Sequence, residues 1–147
     1  MKHIVLLVGL LIALAQSLVF AGGMPVPIVD PSVSLPSLTG KTQTAQDVRA
    51  YILASGATLK SGTIAMPMVV DSDEPGLLKL TFNKQNKHFF TITVNYDASS
   101  YQIKYVQSEN LDYRDEDGVR KIHRNYPIWI QSLVNGIAAA QLASPSN

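Results

Sequence analysis

Three consecutive stretches of this chain alternate apolar and polar residues with a period of two, and that pattern limits the fold more than any other feature. In Leu77 to Phe82, Leu78, Leu80 and Phe82 fall on one side, while Lys79, Thr81 and Asn83 fall on the other. In His88 to Tyr96, Phe90, Ile92, Val94 and Tyr96 oppose Phe89, Thr91, Thr93 and Asn95. In Tyr101 to Ser108, Tyr101, Ile103 and Tyr105 oppose Gln102, Lys104 and Val106. Successive side chains of a strand point to opposite faces, so these stretches describe an antiparallel sheet with one covered face. The connectors, Asn83 to Lys87 and Asp97 to Ser100, are short and polar and read as hairpin turns. A fourth strand is expected at about Thr63 to Val70, where Pro67 suits an edge strand or a bulge. Asp71 to Gly76 reads as the turn that follows it.

Helices are expected on both sides of these strands. Thr44 is placed to cap a helix over about Ala45 to Ser55, with Asp47 completing a capping box and Gly56 at the left-handed stop position. Val48, Tyr51, Ile52 and Ser55 share one face at helical spacing. A second helix covers about Asn125 to Gln141, with Tyr126, Trp129, Ile130, Leu133, Ile137 and Ala140 as its apolar stripe. Pro127 fits only its first turn, where Asn125 could cap. The order helix, four strands, helix predicts an α+β domain: a four-stranded antiparallel meander with both helices on one face.

Ahead of this domain lie two segments of different character. Met1 to Ala21 reads as a signal peptide: Lys2 and His3 open it, Ile4 to Ala15 is unbroken apolar sequence, and Val19-Phe20-Ala21 offers a cleavage site. The apolar run is about 12 residues, short of the roughly 20 that span a bilayer, so cleavage is expected over anchoring. The mature chain is then expected in the periplasm or outside the cell, with no membrane span. Gly22 to about Gln43 carries Pro25, Pro27, Pro31 and Pro36 and reads as a Pro-rich, extended linker, expected as a tether although Val26, Ile28, Val29, Leu35 and Leu38 could dock on the domain. Leu142 to Asn147 reads as a flexible tail. The domain proper is then 44–141.

Composition removes several kinds of chemistry. The chain has no cysteine, which excludes disulfides, thiolate metal sites, cysteine nucleophiles and lipid attachment through a cysteine. It carries 12 Lys+Arg against 11 Asp+Glu. Loss of Lys2 with the signal would leave the charge balanced, and nucleic acid is not an expected partner without a basic excess. No phosphate-binding glycine loop, dinucleotide fingerprint or nucleophile elbow is present.

The residues able to carry chemistry are few. Beyond the signal there are two histidines, His88 and His123, and nothing in their spacing pairs them. His123, next to the last helix, reads first as a structural hydrogen-bonding residue. Tyr113, Asp115, Asp117 and Gly118 would fall at positions 1, 3, 5 and 6 of a calcium loop. Tyr113 cannot serve the first position and Arg124 stands where the bidentate glutamate belongs, so Glu109 to Gly118 reads as a solvated hairpin or turn. No metal and no cofactor is expected.

Several stretches together carry a resemblance: DVRAYILASGA, PGLLKLTF, VNYDASSYQIKYVQSENLDY and IHRNYPIWIQSL. The chain from about Gln46 to Ile137 resembles a family of small exported bacterial proteins of unknown function, often labelled lipoproteins. The resemblance implies an envelope location and a similar fold, but names no reaction. Where such proteins carry a lipidated cysteine, this chain has Ala21-Gly22.

The expected functional surface is the junction between the last strand and the last helix, because loops on a rigid scaffold concentrate binding groups. Its candidate binding residues are Glu109, Asn110, Asp112, Tyr113, His123, Arg124, Asn125 and Tyr126. The function expected is a non-catalytic envelope module that binds a protein or a small ligand. The alternative is a small hydrolase-type enzyme using Asp112 and His123.

Overall fold

A computed structural model of the chain describes residues 23–38 and 40–144. The signal expected over 1–21 and the end of the tail, 145–147, lie outside the described residues. The fold is α+β with two helices and antiparallel strands. In chain order the elements are β1 (Val26–Pro27), β2 (Ser32–Ser34), α1 (Ala45–Ala57), β3 (Lys60–Ser61), β4 (Ile64–Ala65), β5 (Val69–Glu74), β6 (Leu77–Lys84), β7 (His88–Tyr96), β8 (Ser100–Glu109), β9 (Arg114–Glu116), β10 (Val119–Ile122) and α2 (Asn125–Ala143).

The main sheet has five strands, not four, in the order β2-β8-β7-β6-β5. Its middle, β6 to β8, lies where the period-two alternation puts it. Leu78, Leu80, Phe82, Phe90, Ile92, Val94, Tyr101 and Ile103 are all buried on one face and share a core with Val48 and Ile52 of α1 and Leu133 and Ile137 of α2. Trp129 of α2 lies over the Phe82 and Phe90 rings, at centroid distances of 4.7 and 5.9 Å. The strand expected at Thr63 to Val70 is split. A small hairpin, β3–β4, ends before Pro67, and β5 starts after it and runs through Asp71 to Glu74. What looked like a long acidic turn is therefore mostly edge strand, and only Pro75-Gly76 turns, with Gly76 at φ 79°. Charged residues along an exposed edge discourage pairing with another chain.

Two bulges interrupt the ladder. Asp71 is the extra residue between the Val70–Leu80 and Ser72–Lys79 pairs of β5 and β6. Val106 is the extra residue between the Ile92–Tyr105 and Thr91–Gln107 pairs of β7 and β8.

The segment read as a linker is part of the domain. Val26 and Pro27 pair with Ile122 and Lys121, and Ser32 to Ser34 pair with Gln102 to Ser100. Leu35 is buried in the core. Prolines cost such a strap some donors, but its other groups bond well: Ile28 N–H donates to Arg120 C=O at 2.8 Å and Leu35 N–H to Ser99 C=O at 2.7 Å, while Pro31 C=O accepts from Ile103 N–H at 2.9 Å. Side chains hold its far end. Gln43 Nε2 donates to the Leu35 and Ala98 carbonyls and Gln141 Nε2 to Pro36 C=O and Gln43 Oε1, at 2.7 to 2.8 Å.

The helix ends follow the expected chemistry in part. Thr44 and Asp47 form the capping box. Gly56 is inside α1 and not its left-handed stop, because its carbonyl bonds to Met68 N–H at 2.9 Å and α1 runs on to Ala57. α2 reaches Ala143, two residues beyond its expected end. Asn125 is its first residue and not its cap; Arg124 precedes it in helical conformation with no side-chain capping bond.

Candidate functional site

The junction is built on a second, smaller sheet of order β1-β10-β9. β9 and β10 form a hairpin whose two turn residues, Asp117 and Gly118, have φ 54° and 79°. Asp-Gly with two left-handed residues is the tight turn whose twist matches paired strands. The acidic stretch is thus a hairpin, with Asp115 Oδ1 accepting Gly118 N–H at 3.1 Å. Among the described residues no group of three or more His, Asp or Glu is placed to hold a metal ion.

β8 enters this region through Glu109, whose side chain is exposed. Asn110 and Asp112 both take left-handed conformations, φ 56° and 50°, on either side of the buried Leu111. Short polar side chains tolerate that region best. Leu111 C=O accepts His123 N–H at 2.8 Å, which closes the loop against the start of α2.

The two histidines meet here. Their ring centroids are 6.4 Å apart with planes 24° from parallel. His88 Nδ1 lies 2.7 Å from Asn110 C=O and must be the donor, because a carbonyl oxygen only accepts. His123 Nδ1 accepts Asn125 N–H at 3.2 Å. His123 is therefore the residue that satisfies the first helical N–H, a capping role for a ring nitrogen. Asp112 is held by Arg114, whose Nη2 lies 2.9 Å from Oδ1. No hydrogen bond joins Asp112 to His123.

Aromatic rings form the other half of the junction. Tyr126 is buried and packs edge-on against Phe90 and Tyr105, at 5.0 and 5.7 Å. Burial pushes the Tyr126 hydroxyl well above the ordinary tyrosine range. Tyr113 is 42% exposed and stacks flat on Tyr105, with centroids 5.3 Å apart and planes within 4°. The guanidinium of Arg120 lies 6.0 Å from the Tyr105 ring centroid on a cation–π line. Asp30 of the strap fixes both partners: its Oδ2 accepts from Arg120 Nη2 at 2.8 Å and its Oδ1 from Tyr105 N–H at 2.9 Å. The hydrogen bond from Arg120 to Asp30 raises the guanidinium pKa further, so the cation is permanent.

No protein-family profile, curated protein or solved structure matches this chain.

The eight candidate residues thus divide by role. Glu109, Asp112, Tyr113 and Arg124 present side chains to solvent; Tyr126 lies behind them in the core; Asn110, His123 and Asn125 shape the loop and the helix start. His88, Tyr105, Arg120 and Asp30 belong to the same surface and were not expected there. The β6–β7 hairpin and the β7–β8 register bring in His88, and the docked strap brings in Asp30. Only the alternation of β8, which set Tyr105 apart from its neighbours, hinted at any of the four.

Proposed function

We propose that this chain is an exported envelope module that acts by binding, and that it holds a protein partner at the junction around Tyr113. The observation that carries this reading is the stack of Tyr113 on Tyr105 beside Arg120, exposed on one side and fixed on the other by Asp30. Tyrosine and arginine dominate the energetic centres of protein interfaces, and a ring already held in place loses little freedom on binding. The signal-like start of the chain and its resemblance to small exported bacterial proteins support the envelope placement. No helix among the described residues is long and apolar enough to cross a membrane. A hydrolase using Asp112 and His123 has less support, since Arg114 occupies the carboxylate and Asn125 N–H occupies the ring nitrogen.

The test is crosslinking in living cells followed by mass spectrometry. A specific envelope protein should be captured by the wild-type chain. Tyr113→Ala should weaken its capture strongly, in line with the roughly 2 kcal/mol or more of a hot-spot tyrosine. Capture that is indifferent to Tyr113→Ala and to Arg120→Ala would remove the junction from consideration.

A further inference from the structure

The helices cover one face of the five-stranded sheet, and its other face has a hollow of its own. This hollow, of about 220 Å³, is lined by Asp71, Lys79, Thr81, Thr91, Gln107 and Glu109. The half-buried ring of Phe89 contributes an apolar wall. It lies across the rung Val69–Thr81–Thr91–Gln107, and both bulges flank that rung, Asp71 in β5 and Val106 in β8. Bulges bend their strands, so two at one level turn a flat face into a dish. Thr91 is only 4% exposed although it points to the side no helix covers.

The hydrogen bonds inside the hollow have a fixed direction. Thr81 Oγ1 lies 2.6 Å from Asp71 Oδ2 and 2.8 Å from Thr91 Oγ1. A carboxylate only accepts, so the single hydroxyl proton of Thr81 goes to Asp71 and Thr91 must donate to Thr81. The chain Thr91 to Thr81 to Asp71 spends all its donors and leaves lone pairs facing the hollow. Around it, Lys79, Gln107 and Glu109 take part in no side-chain hydrogen bond or ion pair among the described residues.

We propose that this hollow is a binding site for a small, neutral, polyhydroxylated ring of the sugar class. A ligand here must donate to Asp71, Thr91 and Glu109 and accept from Lys79 and Gln107. An anion would meet two carboxylates, and a simple cation would meet the Lys79 ammonium. Adjacent hydroxyls supply donors and acceptors side by side without charge, and the C–H face of a sugar ring suits the Phe89 wall. The hollow is smaller than the roughly 300–1,000 Å³ of pockets for drug-sized ligands, which fits a single ring. This hollow shares Glu109 with the edge of the junction, but it does not depend on the function proposed there.

The experiment is an amide NMR titration of the purified protein with glucose and with N-acetylglucosamine, with glycine and spermidine as the zwitterionic and cationic comparisons. At least one sugar should give saturable shifts centred on Lys79 to Thr81, Phe89 to Thr91 and Gln107 to Glu109. Half-saturation is expected at millimolar concentration, near −4 kcal/mol. Gln107→Ala and Lys79→Met alter side chains outside the core and should each weaken binding at least about tenfold, with an unchanged unfolding midpoint. The proposal is overturned by the absence of saturable shifts for either sugar at about 50 mM, a concentration well beyond a millimolar Kd. Shifts centred on Tyr113 and His123, or glycine or spermidine binding as well as the sugars, would also overturn it.

Discussion

Gly136 in α2 sits against Ser55 in α1, and a methyl group there would overlap Ser55 Oγ and come within 3.1 Å of Ser55 Cβ. Ser55 is buried and donates to Leu133 C=O at 2.8 Å, so it cannot swing away cheaply. Gly136→Ala should therefore destabilise the protein by about 1–3 kcal/mol, the usual range for overpacking. Adding Ser55→Ala removes the worst overlap and should return part of that loss, a non-additivity that denaturant midpoints of the three variants would reveal. At the other end of α2, the bond from Asn125 N–H to His123 Nδ1 does the work of a cap. His123→Ala should cost about 1 kcal/mol and speed amide exchange at Asn125 and Tyr126. If exchange there does not change, the ring is not the cap.

Among the elements, the strap formed by β1 and β2 depends most on one side chain. Asp30 serves both Tyr105 N–H and Arg120, so Asp30→Ala strands two donors at once. The expected loss is about 1–3 kcal/mol, accompanied by faster proteolysis between residues 23 and 38. Deleting residues 23–34 would bare the outer edge of β8, and self-association should then appear in light scattering. The strap's apolar residues allowed docking, but which groups receive it was not legible from its own sequence. Four prolines without alternation say only that the chain is extended, and its partners are chosen by groups far away in sequence. The three central strands were legible because a period of two survives any context, as Leu78, Ile92 and Ile103 illustrate by all reaching the core. β5 was not, because its exposed residues Asp71, Asp73 and Glu74 look like a turn when the strand they decorate is an edge. The junction was chosen by reasoning about loops, and nothing local showed that His88, Tyr105, Arg120 and Asp30 would share it. Whether His88 faces His123 depends on register across two hairpins, which no local signal encodes.

At the scale of the molecule, charge and burial set the pH range over which the fold holds. The carboxylates of Asp73, Asp97, Asp47 and Glu116 are all held below their ordinary values: Asp73 by Arg49, Asp97 by the Ser99 N–H, Asp47 by the Thr44 N–H and Glu116 by Lys121. Their folded pKa values are depressed, so the stability they add is present above the ordinary carboxylate range and is lost as pH falls through the folded values. Urea midpoints should drop below about pH 4. Tyr101 and Tyr126 work in the opposite sense. Burial pushes the Tyr101 hydroxyl up to about 12 and Tyr126 higher still. Their contribution is whole below about pH 10 and disappears as pH rises past the folded values. Midpoints should hold steady between these limits; a decline that begins well below pH 10 would assign alkaline unfolding to other groups.

The strap also fixes a schedule. A ribosome releases Val26 and Ser32 early in synthesis, but the strands that receive them, β10 and β8, are among the last parts of the domain to emerge. Contacts between segments so distant in sequence form late and slow the approach to the native state. Until then the sheet has an unsealed border and the first-made residues have nowhere to dock. The strap therefore stays undocked until β8 and β10 have been made, however early the rest of the sheet pairs.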